Sequence, residues 1–237
     1  MTTRRELKID ADGVTMHSLL IRPQGSGTVP AVLVFPKWTG RTAYEEDYGE
    51  KLAALGYAAL ICDLYGGGRS GGNPQECTAL MTPLMEDRAG LRTRLLASLG
   101  ALRGEDDVDG DRIAAAGFCF GGLCAIDLAR AGGELKGVAS FHGLLTPPEG
   151  LEEPPITATI AVHHGWSDPM AKPDTVVALG EELTARGADW YLTAYGNAVH
   201  SFTYPPANDR ASGSAYDAHA DRRSWRDFTG MLSELFA

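Results

Sequence analysis

The 237 residues suffice for one domain with a large core, since a chain of this length buries roughly three quarters of its unfolded surface. A formal net charge of −10 repels phosphate backbones and anionic lipid heads, which argues against nucleic acid and membrane surfaces as partners. Cys62, Cys77, Cys119 and Cys124 form no C-x-x-C pair, so neither a disulfide framework nor a zinc site is expected, and free thiols fit a reducing, cytoplasmic setting.

The opening stretch MTTRRELKIDADG is charged and strand-like and lacks the apolar segment of a secretory signal. Short apolar runs then recur: residues 31–35 (AVLVF), 57–62 (YAALIC), 113–117 (IAAAG), 137–141 (GVASF), 159–163 (TIAVH) and 190–194 (WYLTA). They are too short to cross a bilayer and show little polar alternation, as strands buried on both faces of a parallel sheet do. Helical stretches separate them at 44–55, 85–102, 122–131, 172–186 and 218–236. With no repeat and no dividing linker, residues 1–237 read as a single α/β domain whose mostly parallel sheet carries helices on both faces. In such sheets the site lies beyond the carboxyl ends of the strands.

Three of those ends carry a chemically coherent set. The stretch 113–122 reads IAAAGFCFGG and is followed by a helix: a G-x-C-x-G nucleophile elbow with sulfur in place of oxygen. The elbow turns Cys119 towards the N-terminus of the next helix, whose dipole favours a thiolate, and aims the Phe120 amide where an oxyanion would form. After TIAVHHG comes Asp168, and after WYLTAYG comes His200. Nucleophile, acid and histidine in this order are those of an α/β-hydrolase, with His200 as base and Asp168 as its orienting partner.

Other titratable residues have plainer readings. His163 and His164 lie on a strand, His142 ends one, and His219 sits in a charged helix. Asp63 closes YAALICD and is expected to tie down the glycine loop 66–72 at the mouth of the site. That loop lacks the lysine of a phosphate-binding G-x-x-x-x-G-K-[ST] motif.

The landmarks DLYGGG at 63–68, GFCFGG at 117–122, GWSDPM at 165–170 and HSFTYP at 200–205 resemble those of the dienelactone hydrolase (carboxymethylenebutenolidase-like) family over nearly the whole chain. The resemblance implies an α/β-hydrolase fold and a Cys119, Asp168, His200 triad. It also implies an oxyanion hole from the backbone N–H groups of Phe120 and Trp38, with no metal or other cofactor. Two positions depart from members that cleave dienelactone. Lys37 stands where an activating carboxylate is expected, and Tyr204 where an arginine grips the substrate carboxylate. Lys37 either points inward and favours the thiolate or points to solvent. Arg88 either faces substrate or pairs with Glu86 or Asp87. Together these residues predict a carboxylic ester hydrolase that opens a small-molecule ester or lactone through an acyl-enzyme. A thioesterase or acyl transferase, and a non-catalytic binding or thiol-sensing protein, stay open as alternatives, as do the physiological substrate and the oligomeric state.

Overall fold

The apolar runs assemble into one eight-stranded sheet in the computed structural model, which describes residues 1–25 and 27–237. The strands are β1 (Thr2–Ala11), β2 (Val14–Pro23), β3 (Val29–Phe35), β4 (Ala58–Ile61), β5 (Val108–Phe118), β6 (Gly137–Phe141), β7 (Thr159–Gly165) and β8 (Trp190–Tyr195). The helices are α1 (Ala43–Ala54), α2 (Pro74–Glu86), α3 (Arg88–Arg103), α4 (Phe120–Arg130), α5 (Pro173–Ala185) and α6 (Ala218–Leu235). Across the sheet the order is β1-β2-β4-β3-β5-β6-β7-β8. Strands β3 to β8 pair parallel, and the β1–β2 hairpin joins β4 antiparallel. A small ribbon of β9 (Asn208–Asp209) and β10 (Ser214–Ala215) follows β8.

Alternate residues of a strand face opposite sides of the sheet, and β3 shows how that divides the core. Ala31, Leu33 and Phe35 pack with Leu91, Leu95, Leu123 and Leu128 of α3 and α4. Val32 and Val34 pack with Tyr48 and Leu52 of α1 and with Phe228 and Met231 of α6. Both faces are therefore covered, which is why the run AVLVF has no polar position. The fold is that of an α/β-hydrolase.

Two elements differ from expectation. The helix expected over 85–102 is two helices, broken where Asp87 caps α3 by accepting from the Gly90 amide at 2.9 Å. Upstream, α2 occupies a segment expected to be loop. Its start is built by Asn73, whose side-chain oxygen accepts from the Glu76 amide at 3.0 Å, with Pro74 in the first turn. Among the described residues, no helix is long and apolar enough to cross a membrane.

Asp63, just past β4, ties down the glycine loop as expected. Its carboxylate accepts from the amides of Tyr65 (2.9 Å), Gly66 (2.9 Å) and Gly68 (2.7 Å), and from His17 on β2 (2.9 Å). Unmade buried hydrogen bonds cost about 1–3 kcal/mol each, and water reaches only part of this loop. Asp63→Ala is therefore expected to lower unfolding free energy by about 2–5 kcal/mol in urea titration; a loss below about 1 kcal/mol would show that the loop does not depend on it.

Candidate active site

Strand β5 ends at Phe118 and helix α4 begins at Phe120, so the chain reverses direction within Cys119. The reversal puts Cys119 at φ 55° and ψ −117°, a left-handed conformation that costs an L-residue about 1–3 kcal/mol. Glycine makes the close packing around it feasible. A Cβ on Gly117 would collide with the Gly121 carbonyl, and one on Gly121 with the Phe35 carbonyl. Helix α4 thus starts in backbone contact with the ends of β3 and β5, and the Cys119 sulfur stands where both meet.

The other two strand ends bring their residues to the same place. Asp168, three residues past β7, is buried and accepts from the Met170 amide at 2.8 Å through Oδ1. Its Oδ2 lies 2.8 Å from Nδ1 of His200, which follows β8. That bond fixes the imidazole and assigns its proton to Nδ1. Backbone bonds from the His200 amide to the Gly213 carbonyl and from the Ala215 amide to the His200 carbonyl hold the residue from behind, both at 3.0 Å.

The free thiol and the imidazole change one another's ionisation. Burial alone would push the Cys119 thiol up, but His200 and the amides of Phe120 and Trp38 outweigh it and hold the thiol below its ordinary value. Burial likewise opposes charge on His200, yet the Cys119 sulfur and the Asp168 carboxylate raise its pKa. The pair is thereby biased towards thiolate and imidazolium. Nε2 of His200 makes no well-aligned hydrogen bond among the described residues, so its pull on the sulfur is led by charge.

Both departures from the family pattern acquire a physical setting. Lys37 points inward, but its Nζ is bonded to Glu45 Oε1 at 2.8 Å, and Glu45 is wholly buried. The ammonium also sits 4.5 Å from the ring centroids of both Tyr44 and Tyr204. Lys37 is thus neutralised in place, and Tyr204 shares in its cage while keeping part of its surface exposed. Glu45 escaped the reading of the sequence. The signal available for it is Thr42-x-x-Glu45, a capping box, and its Oε2 does accept from the Thr42 amide at 3.0 Å. Arg88 needs a correction on its partner. Its guanidinium pairs with Asp127 of α4, with Nε at 2.9 Å, and not with Glu86 or Asp87.

His142, at the end of β6, has Nε2 2.8 Å from Thr203 Oγ1, and its ring meets the His200 ring edge to face at 5.1 Å. Burial lowers its pKa well below the ordinary value and lowers that of His163 to about 4, which keeps both neutral. The site therefore concentrates its charge on Cys119 and the His200–Asp168 pair.

Comparison with known proteins gives a consistent picture. Residues 16–236 match the model of the "Dienelactone hydrolase family". An uncharacterized protein of Caenorhabditis elegans is 44% identical over 158 residues, covering 65% of this chain and 100% of its own. A Bradyrhizobium protein named "Probable 2-oxo-3-(5-oxofuran-2-ylidene)propanoate lactonase" is 26% identical over 82% of both chains. Among solved structures, a dienelactone hydrolase-like promiscuous phosphotriesterase from metagenomic libraries superposes with a TM-score of 0.94 at 35% identity, covering 99% of this chain and 98% of the other.

The direction of the thiol shift fixes the expected pH dependence of Cys119 alkylation. An ordinary cysteine loses reactivity as pH falls through about 8.5. Cys119 should stay reactive below that range and lose reactivity only on further acidification. In His200→Ala the cation is gone while burial remains, so the inflection should move above the ordinary value. Iodoacetamide rates across pH check this; identical profiles for the two proteins would contradict the coupling.

Proposed function

We propose that this chain, which belongs to the dienelactone hydrolase family, hydrolyses a small, uncharged ester or lactone with Cys119 as nucleophile. The observation that supports this reading is His200, oriented by Asp168 at 2.8 Å, beside the strained elbow of Cys119, whose thiol is held below its ordinary value by His200 and the Phe120 and Trp38 amides. A lone buried cysteine would be pushed up by desolvation, as Cys62 and Cys124 are. Cys119 is held down, which favours catalysis over a passive thiol.

The chemistry then runs in two balanced halves. The thiolate attacks the carbonyl carbon, a C–S bond forms, and the carbonyl π pair moves to oxygen, where the two amides stabilise it. Collapse expels the alkoxide, which takes the proton from imidazolium His200; in a lactone the leaving oxygen stays tethered to the acyl group. His200, now neutral, accepts a proton from water as the resulting hydroxide attacks the thioester. Collapse of this second oxyanion releases the acid and restores the thiolate, with Asp168 steadying His200 throughout. An acceptor alcohol or thiol in place of water would make the same intermediate a transferase's. Nothing in the site singles out such an acceptor.

Charge argues for the uncharged substrate. Tyr204 offers no cation where a carboxylate would be gripped, and Lys37 is already neutralised by Glu45. The close structural similarity to a promiscuous phosphotriesterase supports a secondary reading, in which the same thiolate meets a neutral phosphotriester at this site. The four unpaired thiols fit a cytoplasmic setting.

Cys119→Ala should abolish turnover of small aryl esters, a loss of at least about a thousandfold, while the protein remains folded. Neutral lactones and esters should be cleaved with higher kcat/KM than analogues carrying a carboxylate. A folded Cys119→Ala protein with unchanged hydrolysis would overturn the assignment.

A further inference from the structure

Two loops meet behind the oxyanion-hole amides. The first, residues 36–41, follows β3 and supplies the Trp38 amide. The second, residues 63–72, follows β4 and carries the DLYGGG stretch. One side chain, Tyr65, joins them: its hydroxyl donates to the Trp38 carbonyl at 2.8 Å. The same ring lies parallel to that of Phe120, at 7° and 6.3 Å between centroids. Tyr65 therefore touches both residues whose amides favour the Cys119 thiolate.

From this we infer that Tyr65 is a positioning residue for the oxyanion hole, setting the direction of the Trp38 amide through the Trp38 carbonyl. The inference rests on the reading of Cys119 as an acyl-transfer nucleophile.

The backbone of the first loop explains why one hydroxyl has this leverage. The Gly40 amide bonds the Lys37 carbonyl at 3.0 Å, which closes a tight turn and fixes the peptide plane that bears the Trp38 N–H. The following plane, which bears the Trp38 carbonyl, is held by Tyr65. With both planes anchored, Trp38 has little torsional freedom left. Gly40 itself, at φ 80°, brings the loop so near that a Cβ would meet the Arg69 carbonyl at 2.7 Å and the Tyr65 ring at 3.2 Å. A further bond runs from the Gly71 amide to the Thr39 carbonyl at 3.0 Å.

Tyr65 is well built for a fixed donor. Its own amide is bound by Asp63, its carbonyl by Arg69, and the carbonyl of Leu64 by Arg94 at 2.7 Å. The residue is buried, and burial raises the phenol pKa above its ordinary value, so the hydroxyl keeps its proton. A buried tyrosine needs some acceptor for its hydroxyl. The choice of the Trp38 carbonyl distinguishes a positioning role from simple packing.

Tyr65→Phe removes the hydroxyl and keeps the ring on Phe120. Alkylation of Cys119 needs the thiolate but no oxyanion hole, whereas acylation needs both, so the two rates separate the roles. With a small aryl ester, the pre-steady-state acylation rate and kcat should fall about tenfold or more in Tyr65→Phe, with KM, and the iodoacetamide rate read at a pH where the Cys119 thiol of both proteins is fully ionised, within about twofold of the parent. Gly40→Ala displaces the same loop while keeping the hydroxyl and should give the same split. Acylation by Tyr65→Phe at the parent rate, or a parallel fall of acylation and alkylation, would overturn the inference. If the parent itself acylates, that failure concerns Tyr65 alone; a parent that forms no acyl-enzyme would overturn the reading of Cys119 and this inference with it.

Discussion

The site hangs on the reversal of the chain at Cys119. A residue held at φ 55° and ψ −117° stays there only if its surroundings leave no alternative. The surroundings here are backbone: the Cys119 amide is bound by the Phe141 carbonyl of β6, and the Cys119 carbonyl accepts from Gly122 and Leu144. The absence of side chains at Gly117 and Gly121 lets β3, β5 and α4 close around the turn. From that closeness follow the direction of the sulfur, its position at the start of a helix, and its access to an amide from each side. The strain is local, and the central sheet with its two buried faces is what sustains it.

Electrostatics completes what the turn begins. Most ionisable groups near the sulfur are removed from play: Lys37 is cancelled by Glu45, and His142 and His163 are kept neutral by burial. The remaining contest is between half-buried Cys119 and buried His200, each stabilising the charge of the other. In a site of low effective dielectric such mutual support is stronger than it would be in water. The Lys37–Glu45 pair does mechanical work as well, because the caged ammonium binds Tyr44 of α1 to Tyr204 in the segment after His200. Tyr44 extends that link by donating to Thr203 Oγ1 at 2.8 Å, the same oxygen that meets His142.

What the sequence discloses follows from how local each feature is. The strands β3 to β8 and the elbow are legible because a buried parallel strand needs an unbroken apolar run, and the elbow needs its glycines at fixed spacing. Asp168 and His200 are legible because each follows such a run. The strand-like opening stretch is β1, although it is an edge strand with only Leu7 and Ile9 buried, whereas β2, whose apolar residues are interrupted by His17 and Ser18, has no such signal. The start of α2 escapes a reading of the sequence because its capping pattern, Asn73, Pro74 and Glu76, directly follows the glycine loop. Pairings between distant segments were not legible. Glu86 and Asp87 are the near neighbours of Arg88, but its partner is Asp127 on another helix. The partners Lys37 with Glu45 and Tyr65 with Trp38 likewise meet only once the loops after β3 and β4 are folded together.

The proposed chemistry stands on covalent acylation of the Cys119 sulfur. Rapid acid quenching of the protein with a small aryl ester, followed by peptide mass spectrometry, reads this directly. A thioester adduct on the peptide containing Cys119, decaying at the rate of turnover, is the expected result. Turnover with no adduct on that peptide, or with the acyl group on another residue, would contradict it.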